Sequence, residues 1–208
     1  MNENYYWTED CSVEFYIKAA RCGFITTSFH TKKNQFVLLP EIQFEYAVLD
    51  FKDIKINKKI KKLLNAKQYE FSINNRFDEI INNINTYHED SWLKPEYITI
   101  LKNIKNNKLD KDFKLMTVEV CEKETKKLIS GEIGYKIGKT YTSLTGFTNR
   151  EKKYNNWGKL QLVLLNDYLN NNGYKLWNLG HPQLQYKIDL GAKIYNRSDF
   201  LNMWNQHI

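Results

Sequence analysis

The sequence has little of three residue types that mark special classes of protein. Its 208 residues include nine glycines, three prolines and three cysteines, which excludes a collagen-like or proline-rich chain. The cysteines, Cys11, Cys22 and Cys121, are scattered and odd in number, so they predict neither a disulfide framework nor a metal cluster. We therefore expect a protein of the reducing cytoplasm that uses no metal or other cofactor.

Long apolar runs are also missing. A membrane-spanning helix needs about 18 consecutive apolar residues, and the sequence has no such run. The segment from Met1 to Asp10 lacks the basic head and apolar stretch of a signal peptide, so we expect none. What is present can form a core: 42% of the residues are hydrophobic and 14% aromatic. This composition predicts a folded chain of one domain, or of a small domain beside a larger one.

The chain is basic, with a formal net charge of +7 from 31 Lys and Arg against 24 Asp and Glu. Part of the lysine excess reflects a composition rich in Lys, Asn and Ile, which is typical of an AT-rich genome. The remaining excess of positive charge favours a polyanionic partner, because basic side chains that bind near phosphates release counterions and raise the affinity for that partner.

Apolar periodicity and end signals predict the elements of the first half. Val13, Tyr16, Ile17 and Ala20 share one face of a helix over Asp10–Cys22, which Gly23 is suited to end. Strand-like segments fill residues 24–51, and Tyr69–Ile73 alternates like a strand. Three more helices are predicted by apolar spacing and by cap or first-turn residues, over Asn57–Leu64, Asn75–Tyr87 and Pro95–Asn106.

The second half begins with three predicted antiparallel strands, Lys114–Cys121, Lys127–Ile137 and Thr140–Phe147. A helix, a short strand, a helical turn, a strand and a terminal helix follow, over Lys159–Asn171, Lys175–Leu179, Tyr186–Leu190, Lys193–Tyr195 and Ser198–Asn205. This order predicts an α+β fold and resembles the GNAT acyltransferase core, a mixed sheet flanked by helices in which a bulged strand hands its ligand to the next helix. We expect a small N-terminal α/β domain over 1–68 and a GNAT-like transferase domain over 69–208.

Short motifs along the chain follow the order of one known family. The main ones are Tyr16–Ile25, Ala47-Val-Leu49, Ser91-Trp-Leu93, Met116-Thr-Val-Glu-Val120, Ser130-Gly-Glu-Ile-Gly134, Phe147-Thr-Asn-Arg150 and Leu190-Gly-Ala192. In this order the chain resembles the leucyl/phenylalanyl-tRNA–protein transferases from about residue 7 to residue 204. The resemblance implies an aminoacyltransferase that takes an amino acid from an aminoacyl-tRNA and places it on the N-terminal amine of a protein or peptide.

The resemblance also implies catalytic residues, with two departures from the family pattern. Leu144 stands where the family has an acidic residue that meets the amino group of the aminoacyl moiety, and Asn178-Leu-Gly180 replaces its D-x-Q motif. The loop after Asn178 collects amides and one imidazole. Histidine is the side chain most able to exchange protons near neutral pH, so we assign proton transfer to His181. Asn178 and Gln183 are then expected to supply hydrogen bonds.

Two further sets of residues are implied. The first is an aminoacyl or acceptor pocket formed by Trp92, Glu119, Ser143, Leu144, Phe147 and Tyr186. Within it, Trp92 is alternatively a core aromatic, and Glu119 is alternatively an exposed cross-strand partner of a lysine. The second set binds tRNA phosphates and consists of Lys55, Lys58, Lys59, Lys61, Lys62 and Lys159. Its alternative is a solvated helix face.

Two other functions stay open at the level of sequence. One is an acyl-CoA-dependent N-acetyltransferase of the same fold. The loop Asn155–Leu160 argues against it, because it lacks the leading Arg or Gln of a pyrophosphate loop and because Leu160 is expected to crowd the helix N-terminus that would bind the anion. The other is a non-catalytic module that binds tRNA or peptide, suggested by the lost acidic residues. We expect a monomer with no membrane partner.

Overall fold

A seven-stranded mixed sheet organises the chain. The computed structural model describes residues 6–106 and 109–208, so the first five residues of the segment predicted to lack a signal peptide lie outside it. The strands are β1 Ile25–His30, β2 Phe36–Glu41, β3 Glu45–Leu49, β4 Tyr69–Ile73, β5 Phe113–Glu122, β6 Leu128–Ile137, β7 Thr140–Thr148, β8 Leu176–Asn178 and β9 Lys193–Asn196. The helices are α1 Val13–Arg21, α2 Lys58–Ala66, α3 Phe77–Tyr87, α4 Pro95–Lys105, α5 Trp157–Asn171, α6 Gln185–Leu190 and α7 Arg197–Asn205.

The order of strands in the sheet is β4-β5-β6-β7-β8-β3-β9, and β1 pairs with β2 in a separate hairpin. Only β7 and β8 run parallel among these pairs, through Thr140–Thr142. β3, from the predicted small domain, lies between β8 and β9. The two predicted parts, 1–68 and 69–208, therefore share one sheet, while the predicted mixed sheet flanked by helices is confirmed.

Capping residues place the helix ends within a few residues of the predicted ones. α1 begins after Ser12, whose hydroxyl accepts a hydrogen bond from the backbone N–H of Phe15, and Gly23 follows it with φ of +78°. α2 begins after Asn57, as predicted, because that side chain accepts from Ile60 N–H. The cap predicted for α7 is corrected: Asn196, not Ser198, accepts from Asp199 N–H.

Apolar layers cover both faces of the central strands. Met116, Val118 and Tyr141 pack in one buried cluster with residues of α5. On the opposite face Ile133 and Phe147 join the cluster of α3 and α4. Each large apolar side chain buried in this way stabilises the fold by about 1.5–3 kcal/mol. None of the described helices is long and apolar enough to cross a membrane.

A bulge interrupts β7 beside the centre of the sheet. Ile133 pairs with Thr145 but Gly134 pairs with Ser143, so Leu144 is the extra residue. Glycine is required at 134, because a Cβ there would lie 2.4 Å from the carbonyl oxygen of Thr142. Past Thr142, no strand in the described part of the chain pairs with the second edge of β7. The end of β7 is thus left open toward the neighbouring helices.

Candidate functional site

A cleft of about 760 Å³ opens at the free edge of β7. Its walls are the second half of β7, the end of α3, the beginning of α5 and the segment that leads into α6. It exists because β8 stops at Asn178 while β7 continues to Thr148. The cleft therefore lies where the predicted fold would place a ligand, between a bulged strand and the helix that follows it.

Among the described residues that line the cleft, Glu132 on β6 has the single carboxylate, and it is 5% exposed. Its Oε1 accepts hydrogen bonds from the hydroxyls of Tyr141 at 2.8 Å and Ser143 at 2.7 Å. Its Oε2 accepts from Nε2 of Gln161 at 2.9 Å. An ionised carboxylate can accept about four hydrogen bonds. Three protein donors therefore leave room for one more donor from a ligand.

The bulge explains why these donors face Glu132. Side chains alternate between the two faces of a strand, and one inserted residue reverses the alternation beyond it. Glu132 pairs with Gly146. If the strand continued without a bulge, Leu144 would pair with Gly134, and the side chains of Ser143 and Tyr141 would lie on the other face. Ser143 is oriented further by Trp177, whose Nε1 donates to its hydroxyl oxygen at 3.0 Å. The single hydroxyl proton of Ser143 is thus left for Glu132.

A buried amine lines the same cleft. Lys187, in α6, is 6% exposed, and its Nζ donates to the carbonyl oxygens of Leu179 at 2.6 Å and His181 at 2.5 Å. Burial lowers the pKa of Lys187 to about 8, although the charge of Glu132 opposes that shift. Burial raises the pKa of Glu132, and this is opposed by the hydrogen bonds from Ser143, Tyr141 and Gln161 and by Lys187. Each group therefore favours the charged form of the other across the cleft.

The remaining walls are apolar on one side and basic at the rim. Apolar side chains line the cleft at Leu144, Phe147, Leu162, Leu179 and Leu184. The rim includes Lys159, in the first turn of α5, and Arg150, which donates to the carbonyl oxygen of Tyr87 at 2.9 Å. His88 also lines the cleft, with Nε2 3.0 Å from the carbonyl oxygen of Gly146. The site therefore suits a ligand with an ammonium group, an apolar side chain and a phosphate-bearing end.

Four of the six predicted pocket residues line the cleft, namely Ser143, Leu144, Phe147 and Tyr186. Trp92 does not, because its ring packs edge-on against Tyr97 with centroids 4.9 Å apart, which is the core alternative. Glu119 does not line it either and is not exposed. It is fully buried, and its carboxylate accepts from Ser72, Thr117 and the backbone N–H groups that precede α3. The Glu119 side chain therefore caps the beginning of α3 inside the protein.

The three predicted catalytic side chains lie outside the lining of the cleft. Asn178 is buried, with its side-chain oxygen held by Gly180 N–H at 2.8 Å and its amide 3.4 Å from the Thr142 hydroxyl. Nδ1 of His181 accepts from Gln183 N–H at 3.2 Å, and the side chain of Gln183 is exposed. The loop contributes backbone carbonyls to the site rather than these side chains.

The predicted tRNA-binding lysines divide between α2, which carries four of them, and a second cavity, which Lys55 and Lys159 line. Lys58, Lys59, Lys61 and Lys62 form the exposed face of α2, whose one fully buried residue is Ile60. A second cavity of about 360 Å³ is lined by Lys55 and by Lys159 and Tyr186, which also line the main cleft. These two shared residues connect the cleft with the beginning of α2.

Leu160 does not crowd the N-terminus of α5, in contrast to the expectation from sequence. Its side chain is fully buried in a cluster with Trp157 and Val163, so it points into the core. Asn155, Asn156, Gly158 and Lys159 line the cleft at this end of α5. The first N–H groups of a helix attract anions, and this end is open to the cleft.

The sequence does not predict a role for Glu132 or Lys187. Glu132 stands within the motif Ser130-Gly-Glu-Ile-Gly134. A charged residue inside a ten-residue strand that is otherwise mostly buried is the signal that marks it. Lys187 carried no such signal, because its burial depends on carbonyls of another segment. Within residues 6–106 and 109–208, no group of three or more His, Cys, Asp or Glu side chains is placed to hold a metal ion.

Comparison with known proteins relates most of the chain to one family. The family model described as "Leucyl/phenylalanyl-tRNA protein transferase" matches residues 48–205. The leucyl/phenylalanyl-tRNA–protein transferase of Flavobacterium johnsoniae is 25% identical over 160 residues, which cover 75% of this chain and 70% of that protein. That of Shewanella loihica is 26% identical over 155 residues, covering 72% of this chain and 60% of the relative.

Solved structures show the same fold at low identity. FemX is similar with a TM-score of 0.53 and 9% identity, over 73% of this chain and 59% of that one. A GCN5-related glucosamine N-acetyltransferase region of a fungal multi-domain β-N-acetylglucosaminidase is similar with a TM-score of 0.51 and 10% identity, over 88% of this chain and 22% of that one. The chain thus spans only part of these proteins, and the similarity shows the GNAT-like fold alone.

Proposed function

The chain belongs to the leucyl/phenylalanyl-tRNA–protein transferase family, a family of aminoacyltransferases, and on that premise we propose that it moves an aminoacyl group within the cleft at the end of β7. The donor is an aminoacyl-tRNA and the acceptor is the N-terminal amine of a protein or peptide. The observation that carries the proposal is the buried carboxylate of Glu132, the one acid among the described residues that line the cleft.

The aminoacyl group is recognised by charge and by shape. Its α-ammonium group is complementary to Glu132, whose carboxylate retains capacity for one more donor after those of Tyr141, Ser143 and Gln161. In the family that this chain resembles, the acidic residue stands at the position of Leu144. Here the carboxylate comes from the neighbouring strand, and Leu144 adds to the apolar wall. That wall favours an apolar or aromatic aminoacyl side chain.

The tRNA is held by phosphate contacts outside the cleft. Lys159 and Tyr186 line both cavities, Lys55 lines the second one, and the exposed lysines belong to α2, whose N-cap Asn57 also lines that second cavity. The single-stranded acceptor end of a tRNA that leaves the cleft can contact these positive charges through its phosphates. Tyr186 is 40% exposed, so a base of this RNA can stack on its ring. Specificity for the tRNA body is not needed for this binding, because phosphate contacts carry no sequence information.

The chemistry needs little from the protein beyond position and charge. The ester of an aminoacyl-tRNA is already activated, and an amine that attacks its carbonyl carbon displaces the ribose oxygen. Holding the two reactants in contact can contribute about 7–11 kcal/mol to lowering the barrier. We propose that the protein acts as a monomer in the cytoplasm, where charged tRNA is made, and that no cofactor takes part.

A transfer assay tests the proposed function. The protein is incubated with total charged tRNA and a panel of peptides, and the products are read by mass. We expect peptides that gain one amino acid at the N-terminus, and no product with N-acetylated peptides or with deacylated tRNA. If no peptide gains mass although both substrates are bound, the chain is a binding module and the transfer function is excluded. If acetyl-CoA instead supports modification of the same peptides, the acyl-CoA alternative replaces it.

A further inference from the structure

The side chain of Lys187 is held in an unusual way for a lysine that lines a cleft. It is 6% exposed, and its Nζ donates to two uncharged acceptors, the carbonyl oxygens of Leu179 and His181. No carboxylate lies within ion-pair distance of this amine among the described residues. The charge that acts on its pKa is that of Glu132, which lines the same cleft. Buried lysines are normally paired with an acid.

This geometry accommodates a neutral amine as well as an ammonium group. A neutral amino group has two N–H bonds and one lone pair, whereas an ammonium has three N–H bonds and no lone pair. The two carbonyls accept both hydrogens of the neutral form, and the lone pair remains free to accept a proton. Protonation adds a third N–H, and the charge of Glu132 then stabilises the cation. Both forms of Lys187 are therefore accommodated without a change in the loop.

The charged and titratable groups around the cleft determine how readily Lys187 gains or loses a proton. Every wall contributes some of them: Glu132 on β6, Tyr87 and His88 at the end of α3, Arg150 after β7, Tyr154 before α5, Lys159 in α5 and Tyr186 in α6. Among them Glu132 is the acid, and the cations Arg150 and Lys159 lie at the more exposed rim. Burial outweighs Glu132 and brings the pKa of Lys187 down to about 8. An acid–base group works best when its pKa lies near the working pH.

We propose that Lys187 is the proton acceptor and donor of the transfer reaction, a role that rests on the proposed function. As the acceptor amine forms its bond to the ester carbonyl carbon, it loses one proton to the neutral amine of Lys187. As the bond from that carbon to the ribose oxygen breaks, the ammonium of Lys187 returns this proton to the leaving oxygen. The proton lost by the nucleophile is gained by the leaving group, so Lys187 ends the cycle neutral.

The loop that contains His181 then has a different part from the one expected from sequence. Its backbone carbonyls position the amine of Lys187, while the imidazole of His181 accepts a hydrogen bond from Gln183 N–H outside the cleft lining. A lysine in place of a histidine or carboxylate also accounts for the absence of an acid at Asn178.

Two variants separate proton transfer from simple positioning. Lys187→Met keeps the aliphatic chain and removes the amine, while Lys187→Arg keeps a positive charge and donors but cannot release a proton near neutral pH. Single-turnover rates are measured at saturating charged tRNA against pH, with an acceptor amine that is neutral throughout the range. Otherwise the N-terminal amine, with a pKa of about 8, would titrate in the same window. Lys175 is an exposed lysine just before β8 and outside the cleft lining, so Lys175→Met is the matched control.

We expect the parent rate to fall as the pH drops below about 8, and both Lys187 variants to be slower by about two to four orders of magnitude without that pH dependence. Lys175→Met should behave as the unsubstituted parent protein, and melting temperatures verify that each variant is folded.

If the parent protein transfers the aminoacyl group and both Lys187 variants keep its rate, the proposed function stands and the role of Lys187 is excluded. If Lys187→Arg alone restores the rate, Lys187 is only a positioning residue. If the parent itself transfers nothing to any peptide, the proposed function fails and this inference fails with it.

Discussion

The hydroxyl of Ser143 donates a hydrogen bond to the carboxylate of Glu132 at 2.7 Å, between two adjacent strands of the central sheet. The contact depends on the bulge at Leu144, which turns Ser143 to the face that Glu132 occupies. It also depends on Trp177, whose indole N–H occupies the oxygen of Ser143 and leaves its proton for the acid. This small network holds the one carboxylate among the described residues that line the cleft.

If Glu132 binds the α-ammonium group, Glu132→Gln should weaken binding of aminoacyl-tRNA and leave binding of deacylated tRNA unchanged. A hydrogen bond to a charged group contributes about 1.5–3 kcal/mol, so we expect a loss of roughly ten- to a hundred-fold. Equilibrium binding with charged and uncharged tRNA measures it.

Glu119→Gln is the matched control, because Glu119 is an equally buried acid on the neighbouring strand that does not line the cleft. It should lower the melting temperature, since its carboxylate accepts four hydrogen bonds, without selective loss of charged tRNA. Equal selectivity in the two variants would contradict the assignment of Glu132.

Reversal of charge on α2 should weaken tRNA binding. Replacement of Lys58, Lys59, Lys61 and Lys62 by Glu removes phosphate contacts, so the slope of log affinity against log salt should become shallower. Stability should change little, because exposed charges contribute little. Binding isotherms at several salt concentrations measure both quantities.

An equal change of charge elsewhere provides the control for α2. Lys111, Lys114, Lys139 and Lys175 are exposed and lie outside the linings of both cavities. Their replacement by Glu should reduce affinity less and alter the salt slope less. The same effect from both sets would mean that only the net charge of the chain attracts tRNA.

Removal of the side chains first expected to be catalytic should have little effect. His181→Ala and Gln183→Ala should each retain the transfer rate within a few-fold, because neither side chain lines the cleft and the backbone carbonyl that holds Lys187 remains. Single-turnover transfer measures this. A loss of two orders of magnitude or more for folded His181→Ala would return the proton-transfer role to the imidazole.

The buried amine of Lys187 predicts a pH dependence of stability. Its pKa is about 8 in the folded protein, against a usual 10.5, so between these values the unfolded chain holds one more proton. The free energy of unfolding should therefore rise with pH in that window, by up to about 1.4 kcal/mol per pH unit from this group. Urea unfolding of the parent and of Lys187→Met across the window isolates the contribution, because the other lysines are common to both. Parallel stability curves would show that Lys187 titrates as an ordinary lysine.

Much of the architecture was predictable because it depends on local signals. The spacing of Val13, Tyr16, Ile17 and Ala20 predicted α1, and Asn57 predicted the first turn of α2, since a cap needs only the residues next to it. The order of motifs indicated the family and placed Ser143, Leu144, Phe147 and Tyr186 in one pocket, where the structure also has them. These inferences needed no knowledge of which strands become neighbours.

The sequence by itself thus determined the elements, the fold class and the family, whereas the tertiary structure decided which polar groups share the cleft. One inserted residue at Leu144 decides the face on which Ser143 and Tyr141 lie, and strand pairing decides that Glu119 is an internal cap while Glu132 lines the site. The burial of Lys187 depends on the carbonyls of Leu179 and His181, which only the folded loop brings to it. Side-chain alternation and pKa depend on partners distant in the chain, and for that reason a local pattern did not reveal Lys187.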